Sequence, residues 1–488
     1  MTASPPKGGV SGRILTCALF GLFALGNVLV PVFLGKLALA IASAVAACGL
    51  LGLLWRSHEV EERVSWRVLA ICFAIALVLL LLGGEGRLFY ANEDWQIRDA
   101  VLADLAHNHW PFAYLIGGGE QVLRAPLGMY LLPALFGRGA EAALLVCNTA
   151  VFGLMLSLAS ILFPGPRARR IALAVFVAFS GIDLVGNLLA GSAGSFDHLE
   201  RWAPGLQYSS VITLIFWVPQ HAFAGWFCAL LYLLHRRGDV SLGTLAAAIP
   251  ITAIWSPLAM IGALPFVAWA ALRSLRAIPL RDVAAGALAL AVALPALVYL
   301  AADAQQVSSG FKLPPLATLM LFLALEVAPF LWIVHRLRET ERFGLDSLAL
   351  AGAMLALIPF LYVGGNGDFA MRASIAPLAV LAAILAGSLI DADWQAHRRT
   401  AIAVFLLLSL SAVTGVAEVV RAFRYAPAPL PACTLSEVWT RQTGMVADIA
   451  TYLARADAMP AFLRPAAPAR IATRANPACW ARPWKAPR

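Results

Sequence analysis

Long apolar blocks alternate with short polar loops along this chain, with no regular two-residue alternation inside the blocks. The blocks fall at 14–34, 37–55, 67–83, 141–163, 171–190 and 211–234, and again at 283–301, 314–334, 345–363, 373–390 and 401–419. Between these groups, 240–272 is a single apolar stretch interrupted by Trp255, Ser256 and Pro257, and proline at that point predicts two helices joined by a turn. Lipid offers no partner to backbone N–H and C=O groups, so each block is read as a helix. At roughly 20 apolar residues per crossing, the pattern predicts an all-α polytopic membrane protein with about thirteen transmembrane helices.

Composition agrees: 61% of the 488 residues are hydrophobic and 13% charged, more apolar surface than a water-soluble core could hide. A net charge of +9 would suit nucleic acid if it were gathered on one face. It is instead divided among short loops, so the expected partner is the lipid bilayer and no nucleic acid. Lys7 with Arg13, then Arg56, Arg63 and Arg67, then Arg167, Arg169 and Arg170, then Arg236 and Arg237 all fall on one side. Arg273, Arg276 and Arg281, then Arg336, Arg338 and Arg342, and finally Arg398 and Arg399 join them if 240–272 crosses twice. The positive-inside rule then places the N-terminus in the cytoplasm of a bacterial inner membrane and the C-terminus in the periplasm. The block at 14–34 is long and lacks a clear small-residue cleavage site, so it reads as a retained first span, not a signal peptide.

Three regions follow from this reading: an N-terminal transmembrane hairpin at 1–66, a transmembrane module at 67–420 with a long outer loop at 83–140, and an extracytoplasmic tail at 421–488. The tail is rich in proline, alanine and arginine, which predicts a small, poorly packed appendage. Cys17, Cys48, Cys72, Cys147 and Cys228 lie in apolar runs and read as small hydrophobes. Cys433 and Cys479 share the tail, in a compartment that oxidises thiols, and are expected to form a disulfide. No internal repeat is evident.

The outer loops are rich in aromatics, carboxylates, amides and glycine, and they carry the candidate chemistry. Ile97, Val101, Leu102 and Leu105 have helical spacing within 96–108, so a short surface helix should begin just after Asn92, Glu93 and Asp94, carrying Trp95 and Asp99. Asp94 or Asn92 could cap that helix. Asp94 could equally serve as a general base toward an acceptor hydroxyl. Gln220 and His221 fall inside an apolar helix, where polar side chains are costly and must meet either a neighbouring helix or a substrate. Arg372 follows a turn with glycines at 364, 365 and 367, and its guanidinium suits either a phosphate or snorkelling to the interface, with Asp368 as an ion-pair partner. Lys312 is a second candidate phosphate contact. There is no phosphate-binding glycine loop, dinucleotide fingerprint, HExxH or paired CxxC, so nucleotide-driven and redox chemistry are not expected within this chain.

The many spans, the long early outer loop and the NEDW segment at 92–95 resemble the GT-C fold class of integral-membrane glycosyltransferases, with weaker likeness in WVPQH and GNGDFAMR. The resemblance covers about residues 67–420. It implies a polyprenyl-phosphate-linked sugar as donor and a glycan, lipid or protein acceptor. Asp94, with Glu93 beside it, would take the catalytic acidic position, and Arg372 would hold the carrier phosphate. Trp95, Asp99, Gln220, His221, Asp368 and Lys312 would contribute to the substrate site. No cofactor is required by this scheme, and a divalent ion held by Glu93 and Asp94 is compatible with it. Two features depart from the family pattern. The acidic pair reads Glu93 then Asp94, where many members show Asp before Glu or Asp-x-Asp, and the acidic loop follows the third span instead of the first. A multi-pass transporter or flippase is the main competing class, and a non-catalytic assembly partner with docking surfaces in its outer loops is a third. Intact-mass analysis after alkylation should find Cys433 and Cys479 unmodified; two free thiols in the tail would contradict the expected disulfide.

Overall fold

The structure, a computed structural model, describes residues 8–191, 198–274, 278–337, 342–365, 367–443, 447–474 and 477–487. Lys7, Arg276 and Arg338 of the charge pattern, the stretch 192–197, and Asn366 lie outside these residues.

Helices dominate. α1 (Gly12–Phe33) and α2 (Leu37–Arg56) form a hairpin, and α3 (Trp66–Leu82) leads into the long loop with α4 (Trp95–His107) and α5 (Leu131–Ala134). There follow α6 (Ala140–Ala159), α7 (Pro166–Ala178), α8 (Asp183–Leu189), α9 (Val211–Trp217), α10 (Pro219–Arg237), α11 (Leu242–Thr252) and α12 (Pro257–Ser274). Then come α13 (Leu280–Ala301), α14 (Leu316–Glu326), α15 (Ala328–Arg336), α16 (Leu345–Leu357), α17 (Asp368–Ala373), α18 (Ile375–Asp391), α19 (Arg398–Arg424) and, in the tail, α20 (Leu435–Thr443). Among the described residues, 7 helices are long and apolar enough to cross a membrane, and the pair α14 and α15, bent by 43°, makes an eighth if counted as one span. α3, α11, α16 and α18 are apolar but shorter. This is the build of a helical membrane protein.

Breaks in the helices are more numerous than the single one expected near Pro257, which is present between α11 and α12. The block at 211–234 divides at Val218, because Pro219 opens α10 with a fixed φ and no N–H to continue the ladder of α9. The block at 314–334 bends at Val327, with Pro329 in the first turn of α15. The block at 171–190 opens at 179–182, and there Ile182 N–H donates to Leu325 O (3.2 Å) at the end of α14. Two of the breaks thus satisfy each other's backbone, which lipid cannot do.

An all-α expectation misses the layer above the helices. Short strands occur as β1 (Val10–Ser11), β2 (Arg63–Val64), β3 (Phe112–Ile116), β4 (Gly119–Leu123), β5 (Ser309–Phe311), β6 (Leu361–Val363), β7 (Leu453–Arg455) and β8 (Ala469–Ala472). Four of them make a mixed sheet in the order β7-β4-β3-β8, uniting the long loop with the tail. Its central hairpin pairs Ile116 with Gly119 across Gly117 and Gly118, whose φ values of 60° and 80° form the primed two-residue turn that matches strand twist.

The tail is therefore not the poorly packed appendage that its composition predicts. Leu435, Val438, Leu453, Met459 and Leu463 are buried, and α20 packs on α4. Cys433 and Cys479 are bonded, with Cα atoms 4.9 Å apart. Asp104 of α4 ties the parts together: its Oδ2 accepts from Tyr114 OH (2.6 Å) and from Leu435 N–H (2.8 Å). Burial pushes the Asp104 carboxyl up from 3.8 to about 7. Because the folded pKa is the higher one, the contribution of Asp104 to stability is complete below pH 3.8 and is lost as pH rises to about 7. Asp104→Asn keeps one acceptor oxygen and removes the titration. Its thermal midpoint, relative to wild type, should rise between acidic and neutral pH, and parallel pH curves for the two proteins would contradict this assignment.

Candidate active site

The break at Val218 leaves two buried carbonyls, those of Phe216 and Trp217, without helical partners of their own. The start of α4 supplies the donors. Asn92 Nδ2 (2.5 Å) and Trp95 Nε1 (2.8 Å) both donate to Phe216 O, and Arg98 Nε donates to Trp217 O (2.8 Å). An unpaired carbonyl at such depth would cost about 1–3 kcal/mol, so this match fixes where the acidic segment sits. From the other side, Trp484 near the end of the tail donates to Ala91 O (3.0 Å) and Asn92 O (3.2 Å).

Asp94 is held but not consumed by this arrangement. Asn92 Oδ1 accepts from the Asp94 backbone N–H (3.1 Å), so the capping contact belongs to Asn92, while the Asp94 side chain makes no cap bond. Its Oδ2 lies 3.4 Å from Arg98 Nη2, and its side chain remains 41% exposed, facing a cavity of about 680 Å³. Arg98 itself is buried, with Nη1 donating to Tyr130 OH (3.3 Å).

The same cavity receives Arg372, Asp368 and Lys312. Arg372 Nη1 pairs with Asp368 Oδ1 at 2.8 Å on α17. α17 reaches this position by touching α12: a Cβ on Gly262 would stand 2.1 Å from Ala373 O, so only glycine admits the approach. Lys312 Nζ donates to Gly205 O (2.8 Å), and partial burial pulls its ammonium below its usual range. Gly364, Gly365 and Gly367 form part of the rim.

Polar residues from 198–217 complete the wall, a contribution that periodicity and motif reading missed. His198 stacks on Trp217 with ring centroids 4.4 Å apart, its Nδ1 lying 3.4 Å from Glu418 Oε1 and its Nε2 3.3 Å from Gln207 Nε2. Trp217 Nε1 donates to Glu418 Oε2 (2.9 Å), and the guanidinium groups of Arg201 and Arg421 lie over the Trp217 ring at 6.0 and 5.2 Å. Glu200 underpins this segment, accepting from Gln207 Nε2 (2.8 Å) and Ser210 N–H (2.8 Å), and burial raises its carboxyl above the usual range. The signal in the sequence was the density of charge and aromatic groups in HLERW. Arg201, Lys312 and Arg372 line the cavity together with Asp94 and Asp368, so its cations outnumber its carboxylates and it suits an anionic ligand.

Other candidates lie elsewhere. Glu93 is exposed and is not among the residues lining the cavity. Trp95 is buried against Phe216, and Asp99 is buried in an ion cluster with Arg87 Nη2 at 3.0 Å, where Arg87 Nε also donates to Glu141 Oε2 (2.8 Å). His221 Nδ1 lies 2.9 Å from Ser256 Oγ in the turn before α12, and Gln220 Nε2 lies 3.5 Å from His221 Nε2. This contact joins α10 to the turn before α12, and neither Gln220 nor His221 is among the residues lining the cavity. Among the described residues, no group of three or more His, Cys, Asp or Glu is arranged to hold a metal ion.

Asn92→Ala removes both the bond to Phe216 O and the anchor on the Asp94 backbone. It should destabilise the protein by about 1–3 kcal/mol, read as a lowered thermal midpoint; an unchanged midpoint would contradict the role given to Asn92. No protein-family model matches the chain, and neither the curated proteins nor the solved structures contain a match to it, so the site is read from its own geometry.

Proposed function

We propose that the chain is an integral-membrane glycosyltransferase similar to the GT-C class, moving a sugar from a polyprenyl-phosphate carrier to an acceptor hydroxyl. In this reading about thirteen spans cross a bacterial inner membrane, with the N-terminus cytoplasmic and the cavity and tail periplasmic. One observation carries the proposal: Asp94, Arg372 and Lys312 line a single cavity in which cations are in excess.

The chemistry needs few groups. Arg372 and Lys312 hold the carrier phosphate, and Asp368 orients the guanidinium through its 2.8 Å ion pair. The acceptor oxygen attacks the anomeric carbon, and the bond from that carbon to the phosphate oxygen breaks with its electron pair leaving on the phosphate. Asp94 takes the acceptor proton. The cations oppose the charge that grows on the departing phosphate, so they bind the transition state more strongly than the ground state. This scheme demands no metal.

A transporter or flippase is favoured by a different feature, the facing helix breaks at 179–182 and Val327. Trp202 Nε1 bridges the buried Asp183 Oδ1 (3.3 Å) and Glu326 Oε1 (3.2 Å) there. Substrate uptake into proteoliposomes that survives Asp94→Asn would select that class. For the glycosyltransferase, Asp94→Asn should lower turnover with a polyprenyl-phospho-sugar by about 10²- to 10⁴-fold in a folded protein. Arg372→Lys, which loses the two-pronged grip, should chiefly raise the KM for the donor. Wild-type turnover in Asp94→Asn would contradict the proposal.

A further inference from the structure

A second cavity lies toward the other end of the bundle. α3, α6, α7, α10 and α18 enclose an almost wholly apolar space of about 550 Å³, with Arg67, Arg169 and Arg170 on its lining. α10 connects the two sites: Val218 lines the polar cavity, while Trp226 and Leu233 line the apolar one. At 1.5 Å per residue they lie about 12 to 22 Å farther along the helix, so the two cavities do not share a ligand head group.

The three arginines line the apolar space near the starts of α3 and α7. Arg67 stands in the first turn of α3, and Arg169 and Arg170 in the first turn and a half of α7. Arg169 Nε donates to Ser160 O (3.1 Å) and Arg170 Nε to Pro166 O (3.2 Å), contacts that fix where each side chain leaves its helix. Among the described residues no carboxylate forms an ion pair with any of the three, in contrast to Arg87, Arg236 and Arg342 elsewhere. Arg67 and Arg170 are exposed, and Ile71 on the wall is 49% exposed, so the space opens along that wall as well as beside the arginines.

An apolar slot alone would take any hydrocarbon, and three arginines alone would be ordinary interfacial charges. Joined, they complement a molecule with an anionic phosphate head and an aliphatic tail. We propose that this cavity is a binding site for an anionic phospholipid, its phosphate held by Arg67, Arg169 and Arg170 and an acyl chain lying between α3, α7 and α18. Neutral phospholipids lack the net charge that the arginines answer. The inference does not depend on the glycosyltransferase reading, since it concerns a different cavity and a different ligand.

Native mass spectrometry of the purified full-length protein tests it, using phosphatidylglycerol, phosphatidylcholine with the same acyl chains, and inorganic phosphate as separate probes. Phosphatidylglycerol adducts should survive collision energies that strip phosphatidylcholine, and inorganic phosphate should leave none. Replacing all three arginines with alanine should reduce retention of phosphatidylglycerol about tenfold. Ala383→Trp, which fills the slot and keeps the cations, should reduce it independently. Equal retention of both lipids by the wild type, phosphate adducts at the level of the lipid, or full retention in both variants would overturn the proposal. Asp94 is untouched in every variant, so the outcome is separable from that of the sugar-transfer assay.

Discussion

The arrangement of the polar cavity rests on two carbonyl groups. Pro219 ends the ladder of α9, and the oxygens of Phe216 and Trp217 are then buried where neither helix nor solvent supplies a donor. Asn92, Trp95 and Arg98 supply them, and this brings the first turn of a loop helix against the middle of the bundle. Asp94 is carried to the cavity as a consequence of its neighbours' hydrogen bonds. Its own carboxylate lines the cavity, 3.4 Å from Arg98 Nη2.

The tail and the long loop serve the same end from outside. Asp104 joins α4 to β3 and to the start of α20, and Trp484 closes on the carbonyls of Ala91 and Asn92. A four-stranded sheet with chain from both regions covers the assembly. The acidic turn is thereby gripped on one side by the bundle and on the other by the chain's last residues. If Asp94 is the base of the proposed transfer, such support matters, because misplacement by about 1 Å can cost about two orders of magnitude in rate. α17 is brought in by the close contact of Gly262 with Ala373, and its Arg372 lines the same cavity.

Much of this was legible from residue order. The spacing of Ile97, Val101, Leu102 and Leu105 predicts α4, and Pro257 marks the break before α12. Asp94, Lys312 and the pair Asp368 and Arg372, from three separate loops, line one cavity. What was not legible depends on contacts between distant segments. Trp95 and Asp99 look like substrate contacts in sequence, yet their side chains are taken up by Phe216 O and Arg87. His198 and Arg201 became part of the wall only because Glu200 and Glu418 hold that loop against α19 and Trp217. The tail reads as weakly apolar by composition, but its few apolar residues are concentrated where α4 and the sheet can bury them. The Gly117-Gly118 turn, flanked by YLI and GEQVL, was a local hairpin signal hidden by the helical character of everything around it.

The proposed sugar transfer is tested by a structure of the protein with a polyprenyl-phospho-sugar bound. The carrier phosphate should lie against Arg372 and Lys312, with the anomeric carbon turned toward Asp94. A phosphate bound outside this cavity, or a wall of packed side chains separating Asp94 from the sugar, would contradict it.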